Sequence, residues 1–264
     1  MSTSPLNTRR ESFADSLIVR IDEQGSGRPI LVLHGGAGPQ SVAGLASALS
    51  ARAHTFQPTH PGFNGEPRPE WFDSITKLAH TYLELIERLD LRDVLVIGSS
   101  VGGWIASEMA VHDTTRLSGL VLIDGVGIQV DGHPVADASS LTPDELLAIS
   151  FHNPAAFHID PASVSPEQGK ARAGNIKTLY VYDQGLNMAD PKLRSSLGDV
   201  NIPALVVWGE SDRVVDPEYG RAYAQALPDA RFELVPEAGH LPQLEQPERL
   251  LNLIWEFTES SALA

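Results

Sequence analysis

Three short stretches carry residue types that could act together as a nucleophile, a base and an acid. Gly98-Ser99-Ser100-Val101-Gly102 follows the apolar run Val94-Leu95-Val96-Ile97 and precedes a stretch with helical patterning. A serine with glycine two residues before and two after it, between a strand and a helix, reads as a sharp turn that lifts the hydroxyl to the edge of a sheet. Such a turn strains the serine backbone and brings other backbone close, which glycine permits. The spacing selects Ser100, because Ser99 has Ile97 and Val101 at those offsets. The same pattern also fits a plain small-residue turn, so the base and acid decide its meaning.

A serine hydroxyl is a poor nucleophile until a base takes its proton, and the base needs an acid to orient it. His240 stands in Gly239-His240-Leu241-Pro242, after an apolar run. Asp212 stands four residues beyond Trp208, after another such run. Asp216 is a rival acid, but Pro217 and Glu218 follow it, which is the pattern of a helix N-cap. Asp124, after Val121-Leu122-Ile123, is a second rival. A fourth stretch, His34-Gly35-Gly36-Ala37-Gly38-Pro39, can turn a backbone N–H toward a developing oxyanion with no side chain in the way. A dinucleotide loop would need a third glycine where Ser41 stands.

Residues in such positions need a sheet whose strands end together. Apolar runs rich in Val, Leu and Ile recur at 29–35, 54–62, 93–100, 118–125, 203–210 and 230–240. Runs apolar on both faces suit a mostly parallel, twisted sheet covered by helices. Helical stripes fall between or after them at 75–89, 101–112, 216–227 and 246–259. The alternation predicts an α/β fold. Its rhythm breaks at 126–200, where Pro, Asp, Ser and His are frequent. Thr142 before Pro143 and Ser165 before Pro166 are helix starts there. That segment is expected to be a small helical cap inserted after the sixth strand, with 1–125 and 201–264 forming the core.

The chain has 264 residues, 42% of them apolar and 20% charged, enough for a sizeable core. It has no cysteine, which excludes disulfides, thiolate metal sites and a cysteine nucleophile. Its net charge of -15 would repel a phosphate backbone, so no nucleic acid partner is expected. Arg9 and Arg10 are followed by no long apolar run, so the start of the chain is read as a polar tail leading into a first strand. No segment approaches membrane-spanning length, and a cytoplasmic location is expected. His152 and His158 lack the carboxylate spacing of a metal site, so neither metal nor organic cofactor is expected.

At this point a family resemblance emerges. The stretches LVLHGGAGP, HPGFNG, VIGSSVGGW, LVLIDG, LVVWGESDRVV and AGHLPQLEQPERL resemble an α/β-hydrolase of the compact, capped, esterase-like group. They span nearly the whole chain apart from 126–200. The resemblance implies a Ser100, His240, Asp212 triad, with oxyanion amides from Val101 and Gly36 and with Ala37 as runner-up. Gly35, Ala37, Trp104, Phe151, Phe157 and Leu241 are candidate substrate contacts, with Trp71, Tyr180 and Tyr182 as further apolar candidates. The chain departs from the family pattern at Thr59, where many relatives carry aspartate, and at Glu66, where a small residue is usual. The implied activity is hydrolysis of small-molecule esters or lactones through an acyl-enzyme. Two alternatives keep the same residues: hydrolysis of a carbon–carbon bond in ring-fission diketo acids, and a ligand-binding receptor with slow turnover.

Overall fold

A computed structural model describes residues 5–260. Its strands are β1 (Asn7–Ser12), β2 (Ile18–Gly25), β3 (Pro29–Leu33), β4 (His54–Thr59), β5 (Val94–Ser99) and β6 (Leu117–Ile123). Then come the short β7 (Gly127–Ile128) and β8 (Ala189–Asp190), followed by β9 (Ala204–Gly209) and β10 (Ala230–Val235). The helices are α1 (Gln40–Leu49), α2 (Ile75–Arg88), α3 (Val101–His112), α4 (Pro143–Ser150), α5 (Pro166–Asp183), α6 (Leu193–Ser196), α7 (Pro217–Ala226), α8 (Pro242–Glu245) and α9 (Pro247–Glu259). Eight strands form one sheet in the order β1-β2-β4-β3-β5-β6-β9-β10. β2 runs antiparallel to β1 and β4, and the remaining neighbours are parallel. This is an α/β-hydrolase fold.

Strand periodicity divides the core into two layers. Leu31, Leu33, Val96, Leu122 and Val206 face α2, α3 and α7. Their neighbours Ile30, Val32, Leu95, Ile97, Val121, Ile123 and Val207 face α1 and α9. Successive side chains point to opposite faces, so a strand covered on both sides must be apolar at every position. The parallel strands therefore run under helices from both sides, and their carboxyl ends share one edge.

Beyond the short β7, β8, α6 and α8, two elements differ from the sequence expectation. The polar tail contains a strand, β1, whose register pairs Arg9 with Ile21 and Glu11 with Val19. It carries no apolar alternation. Ion pairs from Arg9 to Glu11 and Glu23, and from Arg10 to Glu66, accompany its backbone ladder. α1 was also not anticipated, although Val42, Leu45, Ala46 and Leu49 form its buried stripe. Serines and Gly44 dilute that signal.

The segment between β6 and β9 is mostly helical. Thr142 and Ser165 cap α4 and α5, each in a reciprocal box with the residue three places on, and proline opens each helix. No helix among the described residues is long and apolar enough to cross a membrane.

Candidate active site

Ser100 sits between β5 and α3 with φ 54° and ψ -119°, a conformation that favours glycine. Such a backbone costs about 1–3 kcal/mol and persists only where its surroundings hold it. Its amide donates to Ile123 O at 2.9 Å, and its carbonyl accepts from Gly103 N at 2.9 Å and Val126 N at 3.2 Å. The flanking glycines are required by close backbone approach. A Cβ on Gly98 would lie 2.1 Å from Gly102 O, and one on Gly102 would lie 2.2 Å from Leu33 O.

His240 joins Ser100 to Asp212. Its Nε2 lies 2.9 Å from Ser100 Oγ, and its Nδ1 lies 2.8 Å from Asp212 Oδ2. Asp212 is 3% exposed, and its Oδ1 accepts from Val214 N at 2.8 Å and Val215 N at 3.1 Å. A carboxylate only accepts, so Nδ1 carries the imidazole proton and Nε2 offers a lone pair to the hydroxyl. The His240 amide donates to Ser150 O at 2.7 Å, which ties this loop to the end of α4. Asp216, the rival acid, instead caps α7 by accepting from Glu218 N and Tyr219 N, and it also holds His133. Asp124 is buried beside Asp212, with its Oδ1 accepting from Gly209 N at 2.8 Å.

The glycine loop after β3 is held by a buried relay. His34 Nδ1 donates to Gly35 O at 2.8 Å, and its Nε2 accepts from His60 N at 3.1 Å. His60 Nε2 donates to His34 O at 2.9 Å, and its Nδ1 accepts from the Tyr82 hydroxyl at 2.5 Å. The two imidazoles are therefore opposite tautomers. Burial pushes His34 down to about 4, and it pushes His60 well below the ordinary value, with His34 adding to the effect. Both rings are neutral near pH 7. A planar trans peptide sends its C=O and N–H in opposite directions. With Gly35 O held by His34, the Gly36 N–H faces away from that ring. Gly35 backs onto Ser100, where a Cβ would lie 2.8 Å from Ser100 Cβ. The Gly36 and Val101 amides have no backbone acceptor among the described residues.

The remaining candidates scatter. Phe151 is buried and stacks on Phe157 at 4.2 Å between ring centroids. Leu241 is half-buried and precedes α8. Leu179 of α5 packs over Gly36. Trp104, a candidate contact that one turn into α3 could equally place in the core, is 1% exposed, and its ring fills the space under Gly127. Ala37, Trp71 and Tyr180 are exposed, while Tyr182 is buried and donates to Pro61 O. His152 pairs with Ser211 and His158 with Asp144, so the two histidines share no ligand position.

Glu245 was not anticipated. Its carboxylate accepts from Gly239 N at 2.6 Å, His152 N at 3.1 Å and Asn153 N at 3.0 Å. It thereby joins the His240 loop to the segment after α4. Asn153 and His152 lie 92 and 93 residues away, so no local pattern announces them.

Comparison with known proteins gives concordant matches. The model of the alpha/beta hydrolase family matches residues 30–253. A 2-hydroxy-6-oxononadienedioate/2-hydroxy-6-oxononatrienedioate hydrolase of Comamonas testosteroni is 23% identical, covering 97% of this chain and 96% of its own. Lipase 3 of Moraxella sp. is 26% identical, covering 95% of this chain and 84% of its own. The solved structure of an esterase from Exiguobacterium antarcticum superposes with TM-score 0.76 at 21% identity, covering 95% of this chain and 99% of its own.

Proposed function

The chain belongs to the alpha/beta hydrolase family, and from that premise we propose that it hydrolyses small-molecule carboxylic esters or lactones. The observation that carries this reading is the unbroken hydrogen-bond line from Asp212 through His240 to Ser100. The Ser100 oxygen attacks the ester carbonyl as His240 Nε2 takes the hydroxyl proton. Asp212 holds the tautomer and stabilises the imidazolium. The Gly36 and Val101 amides, the latter at the N-terminus of α3, stabilise the oxyanion, each worth about 3 kcal/mol at sites of this type. The imidazolium protonates the departing alkoxide. Water then attacks the acyl-enzyme with His240 again as base, which returns the acid product and free Ser100. Every proton is carried by His240, so the step itself calls for no cofactor. The segment 126–200 serves in this reading as the cap, with Phe151, Phe157 and Leu179 near the site.

The Comamonas relative, named for oxo-dienedioates, supports a second reading in which the same residues cleave a carbon–carbon bond. Such acidic substrates call for a cationic pocket. Lys170, Arg172, Lys177, Lys192 and Arg194 all point to solvent, which favours the ester reading. The deciding experiment compares wild type with Ser100→Ala on p-nitrophenyl esters of increasing acyl length and on a vinylogous diketo acid. Ester turnover that falls at least about 1000-fold in the variant supports the proposal. Faster turnover of the diketo acid than of every ester would replace it with the second reading. Ligand capture without turnover would replace it with the receptor reading.

A further inference from the structure

Asp124 is a buried ionisable group that the proposed reaction does not use. It follows β6 with a left-handed backbone, φ 45°, and is 0% exposed. Its amide donates to Val207 O, and its Oδ1 accepts from Gly209 N, so it bridges the ends of β6 and β9. Among the described residues, its Oδ2 is buried without a hydrogen-bond donor if Asp124 is a carboxylate. A ligand-type atom of Asp124, one of Asp212 and one of His240 all lie within 4.8 Å of one another. Two ionised carboxylates at such separation in a dry interior repel strongly, and one of them takes a proton.

The surroundings decide which. A carboxylate offers about four acceptor directions. Asp212 fills three, with the amides of Val214 and Val215 and the imidazole of His240, and all three donors favour its charged form. Asp124 receives one amide. We propose that Asp124 is a positioning residue, a neutral carboxyl whose Oδ2–H donates into the fourth direction of Asp212 and holds that carboxylate on His240. The orphaned oxygen then has a partner, and the pair carries one negative charge. Burial pushes the Asp124 carboxyl well above the usual range, and the charge of Asp212 pushes it further. The other ionisable groups bearing on it are His240 and Glu245, and Glu245 acts in the same direction.

The proposal rests on the reading of Ser100 as nucleophile, and its test separates the two. The rate at which a fluorophosphonate probe labels Ser100 is measured from pH 5 to 9 in the full chain. Wild type, Asp124→Asn and Asp124→Gly are compared, with melting temperatures checked. Asparagine keeps an oxygen for the Gly209 amide, an N–H for Asp212, neutrality, and tolerance of the left-handed backbone. Expected is an Asp124→Asn labelling rate within about threefold of wild type, with the acid limb displaced by less than about 0.5 pH unit, because no charge was removed. A limb displaced further toward low pH would show that an anion was lost and would overturn the proposal. Asp124→Gly, which keeps the backbone geometry but has no donor, is expected to label at least about tenfold more slowly. Labelling at the wild-type rate would overturn the positioning role. If Asp124→Gly fails to fold, the asparagine variant still decides. A wild type that takes no label would remove the nucleophile reading and the proposal with it, whereas labelling with a displaced limb removes the proposal alone.

Discussion

Ser100 holds a backbone conformation that its own side chain disfavours. Replacing it by alanine deletes the hydroxyl but keeps the strain, whereas glycine releases both. Ser100→Gly is therefore expected to be more stable than Ser100→Ala by about 1 kcal/mol or more. In a chain of this size that is a melting difference of about 2–4 °C by calorimetry, with both variants inactive. Equal melting temperatures would count against a strained turn. Among single residues, Ser100, Asp212 and His240 were legible because each lies just beyond an apolar run, and the glycine offsets distinguish Ser100 from Ser99. The N-cap role of Asp216 was legible from the Pro217 that follows. Asp124 appeared only as a rival acid, because its burial and its bond to Gly209 depend on β6 and β9 lying side by side. The relay of His34, His60 and Tyr82 was hidden likewise, because it forms only where the ends of β3 and β4 meet α2. Trp104 was ambiguous in sequence, since one turn into α3 can face either the pocket or the core.

At the scale of elements, the parallel strands and the helices α2, α3, α7 and α9 could be read directly, since continuous apolar runs and 3.6-residue stripes are what two-sided coverage imposes. The starts of α4 and α5 were legible from their capping residues. Their docking was not, because it depends on contacts across the chain. Two such contacts, from the amides of His152 and Asn153, meet at Glu245, which also holds the nearby Gly239 amide. Glu245→Ala leaves the amides of Gly239, His152 and Asn153 without their acceptor. The expected cost is about 2 kcal/mol or more in a urea melt, with slower ester turnover as the His240 loop loosens. Glu245→Gln, which retains one acceptor oxygen, is expected to fall between. A change below about 0.5 kcal/mol in Glu245→Ala would mean that the Ser150 O to His240 N bond holds the junction by itself.

For the whole molecule, the buried ionisable groups shape the response to acid. His34 stays neutral in the fold down to about pH 4 but takes a proton near its ordinary 6.5 when unfolded. The unfolded state thus binds more protons across that window, so stability falls as pH drops from 6.5 to 4, by about 3 kcal/mol for this one ring. His60 acts in the same direction. Asp124 and Glu108, both raised by burial, act oppositely: the fold binds their protons first, so acid favours it. Asp124→Asn deletes one opposing contribution. Its melting temperature is expected to drop more steeply between pH 6.5 and 4 than that of wild type, as followed by circular dichroism in matched buffers. Parallel curves would contradict the protonated state of Asp124.

The antiparallel strand β1 has a consequence beyond the fold. It closes one edge of the sheet with Asn, Thr, Arg and Glu, and an ion pair links Arg9 and Glu11 along it. The other edge, β10, carries a matching pair, Arg231 with Glu233. An outer strand with bare backbone is a template for another molecule to extend, and charged side chains on it make that extension costly. With like charge on every copy as well, concentrated solutions of this protein should resist fibril growth from either edge.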